Sequence, residues 1–168
     1  SVIEGSGKTL MIADTGGDLE HAEKLAQTFR EHRVEGMIYV SDFSQSINVP
    51  LSFSEIPSVL VNCFDSSGKT FAVTPDDEIG GFKMAEAAIS KGHRHIGFLS
   101  LPTERVAGSE RQNGFRRAHK EMKIPLNEDL IIPCSKSGGN FENENNLMTE
   151  GLRKILSFEN RPTAICCG

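Results

Sequence analysis

Short apolar runs alternate with longer amphipathic segments along most of the chain. Between the runs, apolar residues recur every three or four positions, which predicts helices that begin near Asp18, Asp76 or Asp77, Ser109 and Glu144. The runs with the length of strands are Thr9–Ala13, Val34–Val40, Ser58–Val61, Phe71–Val73, His95–Leu101, Leu130–Cys134 and Thr163–Cys167. This order predicts an α/β fold with mostly parallel sheets and helices on both faces.

The charges divide the chain into two parts. Residues 1–74 carry 5 basic and 10 acidic side chains, whereas residues 75–168 carry 13 of each. Since the change falls at Pro75, we expect two lobes, residues 1–74 and residues 75–168. The formal net charge of −5 argues against binding a phosphate backbone over a broad surface.

The apolar runs and the cysteines indicate the compartment. No run approaches the roughly 18–20 residues that a membrane helix needs. Cys63, Cys134, Cys166 and Cys167 form no Cys-x-x-Cys pair, so we predict reduced thiols packed near the core of a cytoplasmic protein. His119 lies in a highly charged helical segment, which predicts a solvated side chain.

Motifs for catalysis, metals and nucleotides are weak. The Gly-Lys-Thr segments at Gly7 and Gly68 lack the earlier glycine of a P-loop and lead into strands. The run His93-Arg94-His95 has no carboxylate nearby in sequence, and Ser100 and Ser109 lack a Gly-x-Ser-x-Gly elbow. The sequence therefore predicts no catalytic residue, no metal and no cofactor.

Arg105 and Arg111 follow the predicted strand His95–Leu101. Open α/β sheets bind ligands outside the carboxyl ends of their strands, where a guanidinium can donate paired hydrogen bonds to a small ligand. A cation at a helix start is disfavoured by the helix dipole, which argues against a purely structural arginine there. From the residues alone, ligand contact and a surface position both stay open.

Five short segments carry a recognisable pattern, in this order and at suitable spacing: Arg33–Ile38, Ile56–Asn62, Gly92–Leu99, Arg111–Phe115 and Arg161–Ala164. Together they resemble the effector-binding domain of the LacI/GalR family of bacterial transcription regulators. The run Gly-His-Arg-x-Ile-Gly followed by Arg-x-x-Gly-Phe is the most specific part. The resemblance covers essentially the whole chain and implies a periplasmic-binding-protein-like fold, in which two α/β lobes close on a small effector.

The resemblance also implies site residues. Arg111 matches the family's effector-binding arginine, and Arg105 matches a variable contact position in the same loop. Asn62 stands where members often have a ligand-binding aspartate, and it keeps an acceptor while losing the charge. Phe141 lies near a position where some members stack an aromatic ring on the ligand. Members carry a further aspartate where this chain has Pro75, and a shift of one residue would let Asp76 serve.

By the same resemblance, the family's first strand, hinge helix and helix-turn-helix head are expected to lie outside these residues, leaving open sheet edges and uncovered apolar faces. We predict the effector-binding and dimerisation core of a regulator that senses a sugar-like metabolite between its lobes. Operator DNA would be bound only through the separate head. The alternatives are an exported sugar-binding protein of a transporter and an enzyme on a similar scaffold.

Overall fold

The computed structural model describes residues 5–134 and 141–168, with the side chains of residues 141–146 outside the description. Its contacts divide the chain into two compact units, Ser1–Thr74 and Pro75–Gly168. These are unit 1 and unit 2.

Unit 1 is built around a small parallel sheet. In chain order its elements are α1 (Leu19–Glu31), β1 (Met37–Val40), β2 (Ser46–Ile47), a 3-10 helix (Leu51–Ser54), β3 (Ser58–Val61), β4 (Phe64–Asp65) and β5 (Phe71–Val73). The sheet has the strand order β1-β3-β5, and β2 pairs with β4 in a separate two-stranded ladder. Asp18 caps α1 as predicted, since its carboxylate accepts the amide hydrogen of Glu20 at 2.8 Å.

One face of the unit 1 sheet carries the core. Ala26 of α1 packs there with Met37, Phe53 and Leu60. On the other face, Ile38 and Val40 of β1 are exposed, as are Phe71 and Val73 of β5. A parallel sheet is normally covered on both faces. In the described part of unit 1, α1 covers one face of the sheet, and the other face carries the uncovered apolar surface that the sequence analysis expects.

The segment Thr9–Ala13 is not a strand. It pairs with no strand in the part of the chain that the structure describes, and β1 has β3 as its neighbour on one side. A groove of about 440 Å³ lies between this segment and β1, and it is lined by Leu10–Thr15, by α1 and by β1. The strand prediction fails here because an apolar run becomes a strand only when a partner accepts its backbone hydrogen bonds.

Unit 2 has helices on both faces of its sheet, as predicted. In chain order its elements are α2 (Asp77–Ser90), β6 (Ile96–Ser100), α3 (Val106–Glu121), a 3-10 helix (Glu128–Leu130), β7 (Ile131–Pro133), α4 (Phe141–Ser157) and β8 (Ala164–Cys167). The parallel sheet has the order β7-β6-β8. Helices α2 and α3 cover one face around Phe98 and Phe115, and α4 covers the other around Leu99 and Ile155.

Two helices of unit 2 begin earlier than predicted. Helix α3 begins at Val106 instead of Ser109, and α4 begins at Phe141 instead of Glu144. In the first turn of α3, a Cβ atom on Gly108 would lie 2.1 Å from the carbonyl oxygen of Pro102, so the turn fits only because a glycine is present. None of the described helices combines the length and apolar character needed to cross a membrane.

His119 is buried, so the prediction of a solvated side chain is wrong. Its ring is 2% exposed and lies 4.5 Å from the ring of Phe115, with Nδ1 at 3.0 Å from the Phe115 carbonyl oxygen. The Nδ1 atom of His119 thus forms its hydrogen bond within α3. A buried polar group with a hydrogen-bond partner costs little free energy, so this ring can be buried although its neighbours in sequence are charged.

Candidate functional site

The carboxyl ends of the unit 2 strands surround a small cavity of about 120 Å³. Ser100 ends β6, Cys134 follows β7, and Gly168 follows β8. Arg105 completes the wall from the loop after β6, as the sequence predicts. This is the edge at which open α/β sheets bind their ligands.

Arg105 is the residue immediately before α3. Its amide donates to the carbonyl oxygen of Pro102 at 3.1 Å, and its side chain is half-buried against the cavity. The side chain gives the helix no capping hydrogen bond, since an arginine carries donors and no acceptor. Arg105 thus places a cation at the start of α3, where serine, threonine, aspartate and asparagine are the preferred residue types.

Arg111 lies in the second turn of α3, one turn later than predicted. Its Nε donates to Oδ1 of Asp77 at 2.7 Å. A Cβ atom on Gly168 would lie 3.5 Å from Cδ of Arg111 and 2.8 Å from the Phe98 ring. The Arg111 stem therefore passes close to Gly168, which itself lines the cavity, and the structure brings Arg105 and Arg111 to the same edge of the sheet.

Ser100 is held in a polar network. Its Oγ accepts from Nε2 of Gln112 at 2.9 Å and donates to the carbonyl oxygen of Leu101 at 3.0 Å. Gln112 is buried and its Oε1 accepts from Arg116 at 3.2 Å. Because the two hydrogen-bond partners of Ser100 are a side-chain amide and a backbone carbonyl, neither of them is a general base for its hydroxyl. The sequence contains a signal for the burial of Gln112, since this residue lies three positions before Phe115 and so falls on the buried face of α3.

Asp76 and Asp77 have different roles at the start of α2. Asp76 is exposed and caps the helix, with Oδ1 accepting from the amide of Ile79 at 2.9 Å. Asp77 is 3% exposed and pairs with Arg111. The sequence offers these two aspartates as alternative caps and gives no indication of the ion pair. The burial of Glu110, and then the charges of Asp77, Asp76 and Glu78, raise the pKa of Glu110.

Asn62 lies at the carboxyl end of β3 in unit 1, as predicted. Its backbone has φ of +58°, a conformation that asparagine tolerates better than most residues. Its Nδ2 donates to the carbonyl oxygen of Ser41 and its backbone amide donates to that of Val73, both at 2.9 Å. An aspartate could not make the first bond, so the asparagine joins the ends of three strands. Phe141 begins α4, and its side chain lies outside the described residues.

The cysteines are free thiols, and they are not all packed in the core. Cys63, Cys134 and Cys166 are buried as predicted, but Cys167 is exposed and lines the cavity. Successive residues of a strand face opposite sides, which places Cys166 on the α2 side and leaves Cys167 at the open end of β8. Burial, with a smaller contribution from Cys167, raises the pKa of Cys166 to about 11. No three His, Cys, Asp or Glu side chains within the described residues are placed to hold a metal ion.

Parallel sheets with cationic and polar groups at their carboxyl ends are typical of α/β proteins that bind small molecules. The chain belongs to the family of periplasmic binding proteins and sugar-binding domains of the LacI type, whose family model matches residues 5–168. This confirms the resemblance stated from the sequence, and the fold class with it.

Individual relatives of this chain are transcription regulators. The chain is 34% identical to the HTH-type transcriptional repressor PurR of Vibrio parahaemolyticus and 33% identical to that of Vibrio vulnificus, each over 163 residues, or 96% of this chain. It spans 47% of each of these two proteins. A crystal structure of a LacI-family transcriptional regulator from Rhizobium etli superposes with a TM-score of 0.80 at 28% identity, covering 96% of this chain and 57% of that one.

Proposed function

We propose that this chain is the effector-binding core of a bacterial transcription regulator, and that a sugar or a related small metabolite binds at the carboxyl edge of the unit 2 sheet. The observation that carries the proposal is the convergence of Arg105 and Arg111 on this edge beside Gly168. The two PurR relatives are repressors and the Rhizobium etli protein is a transcriptional regulator, which favours a regulator over an exported sugar-binding protein.

The chemistry of the edge suits a ligand rich in oxygen acceptors. Each guanidinium offers several N–H donors in a rigid fork, which matches hydroxyl and carbonyl groups. Whole ligand pockets span about 300–1,000 Å³, so a cavity of about 120 Å³ accounts for only part of the contacts. We assign further contacts to Asn62, Asp76 and Phe141, the residues that the family pattern indicates.

The proposed mechanism is a population shift. An effector that binds one arrangement of the protein more tightly than another stabilises that arrangement, and DNA affinity changes with it. We assign DNA contact to a part of the protein outside these residues, because the net charge of −5 disfavours contact by this chain. We further propose a cytoplasmic homodimer that performs no bond chemistry, which the similarity to transcriptional repressors supports.

A ligand screen followed by a DNA-binding assay tests the proposal. Thermal unfolding of the intact protein is measured with sugars, sugar phosphates and nucleobases, where a ligand at 100 times its Kd stabilises by about 2.7 kcal/mol. The ligand found is then added to a gel-shift titration with the protein's operator. We expect one compound to stabilise the protein and to change its operator affinity by about fivefold or more. Turnover of a ligand into a product would contradict the proposal, as would stabilisation without any effect on DNA affinity.

The dimer is tested separately. Sedimentation velocity of the intact protein at micromolar concentration should give the mass of two chains. A monomer at that concentration would contradict the dimerisation part of the proposal and leave ligand binding unaffected.

A further inference from the structure

The ion pair between Asp77 and Arg111 is fixed by the backbones of two helices. A Cβ atom on Gly81 would lie 2.1 Å from the carbonyl oxygen of Arg111, and one on Gly114 would lie 1.9 Å from that of Glu78. The two glycines therefore let α2 and α3 approach with backbone against backbone. Asp77 lies one turn before Gly81, so this contact sets the position of its carboxylate relative to Arg111.

The two partners of the pair are buried to very different extents. The Asp77 side chain is 3% exposed and the Arg111 side chain is 34% exposed. Oδ1 of Asp77 takes the hydrogen bond from Arg111 Nε, whereas Oδ2 is buried and has no hydrogen-bond partner within the described part of the chain. The charge of a buried carboxylate that has no other donor is stabilised mainly by its one guanidinium partner. The carboxylate in turn holds that guanidinium in position. Because Nε of Arg111 donates the hydrogen bond to Asp77, the terminal groups Nη1 and Nη2 are not used in that bond.

Several carboxylates lie close to Arg111, and Glu78 among them is paired with Arg117. Asp77 and Glu78 occupy the first turn of α2 and Asp76 caps it, so the chain's own carboxylates already occupy the positive end of this helix. Glu110, next to Arg111 in sequence, has a raised pKa, caused first by burial and then by the charges of these three residues. An incoming anion would therefore meet an arginine whose charge Asp77 already compensates, with the Asp76 carboxylate nearby.

We propose that Asp77 is a positioning and specificity-determining residue, which holds Arg111 through Nε and compensates its charge, so that Arg111 selects uncharged hydroxyl or carbonyl groups and rejects phosphate. This inference rests on the proposed function, in which Arg111 contacts the effector. Asp77 acts through Arg111 and does not itself touch the ligand.

Inorganic phosphate is the probe, since its binding can be measured without knowing the effector. Binding to the intact protein is followed by isothermal titration calorimetry for the wild type, Asp77→Asn, and Asp77→Asn combined with Arg111→Gln. Asparagine keeps an acceptor for Nε and removes the charge. The matched control is Glu86→Gln, which removes the same charge from an exposed position on the same helix.

We expect Asp77→Asn to bind phosphate at least about tenfold more tightly than the wild type, which corresponds to about 1.4 kcal/mol. The gain should vanish in the double variant and be absent in Glu86→Gln. A gain no larger than that of Glu86→Gln would overturn the proposal. Should Asp77→Asn fail to fold, the comparison of wild type with Arg111→Gln still tests it, because saturable phosphate binding by the wild type that Arg111→Gln removes would also overturn it. Neither result depends on the effector, so the proposed function can fail or hold independently.

Discussion

Replacing Arg111 by alanine should destabilise the protein far more than replacing an exposed arginine. The Arg111 guanidinium is the ion-pair partner of the Asp77 carboxylate, which is 3% exposed. Two unit charges about 4 Å apart attract by about 4 kcal/mol at an effective dielectric constant of 20, and breaking a buried pair costs about 3–5 kcal/mol. Since Arg111 is one third exposed, we expect a loss of about 2–3 kcal/mol in the free energy of unfolding.

A double-mutant cycle isolates the pair. Urea unfolding is measured for the wild type, Arg111→Ala, Asp77→Asn and the double variant. The double variant should recover most of the loss, with a coupling energy of about 2 kcal/mol, because no buried charge is then left unpaired. The control is Arg30→Ala, which breaks an exposed pair with Glu55 and should cost less than about 1 kcal/mol. A cost for Arg111→Ala no greater than that of Arg30→Ala, or a coupling energy near zero, would refute the reasoning.

Three further predictions concern the same unit. Gly81→Ala should cost about 3 kcal/mol or more in urea unfolding, because its Cβ would lie 2.1 Å from a backbone oxygen, whereas Gly80→Ala has open space and should change stability by less than about 1 kcal/mol; equal effects would contradict the close helix contact. Phe115→Ala should cost about 3–5 kcal/mol in the same assay, since the ring is fully buried, and a cost below 1 kcal/mol would contradict its place in the core. Thiol labelling at pH 8 should modify Cys167 first and leave Cys166 intact, because Cys167 is exposed and Cys166 is buried. The pKa of Cys166 is about 11 in the folded protein, against 9 for the ordinary thiol. The free energy of unfolding should therefore fall as the pH rises from 9 to 11, where the unfolded chain loses the proton first. Equal labelling rates, or the same pH dependence in Cys166→Ala, would contradict that assignment.

The strand and helix order of unit 2 could be predicted because local pattern and tertiary structure agree there. The run His95–Leu101 contains β6, whose residues are all buried, and its neighbours on both sides are strands of the same sheet. The starts of the helices were harder to place. Helix propensity alone counts Gly108 against a helix. The first turn of α3 nevertheless requires a glycine there, because the backbone of Pro102 passes close to it.

Unit 1 shows where local pattern is insufficient. Thr9–Ala13 has the composition of a strand, yet a strand exists only through hydrogen bonds to a partner. The short ladder of Ser46–Ile47 with Phe64–Asp65 was not predicted, because two residues carry too little periodicity.

The positions of Arg105 and Arg111 could be predicted from the sequence, whereas the contacts of Arg111 could not. Both residues follow β6, and the structure brings both to the carboxyl edge of the sheet. The partner of Arg111 was not found, because Asp77 is 34 residues away along the chain and a capping aspartate looks the same in sequence as a buried one. Ion pairs of this kind depend on how two helices pack, which a sequence pattern does not report.

The central claim is that Arg105 and Arg111 bind the effector at the carboxyl edge of unit 2. The most direct test is calorimetric titration of the intact protein with the compound found in the ligand screen, for the wild type, Arg105→Gln and Arg111→Lys. Lysine keeps the charge beside Asp77 and loses the fork of donors, so folding is retained while ligand hydrogen bonds are lost. We predict that each variant binds at least about tenfold more weakly, whereas Arg153→Lys, at an exposed position on α4, binds as the wild type does. Unchanged affinity in both Arg105→Gln and Arg111→Lys would contradict the claim.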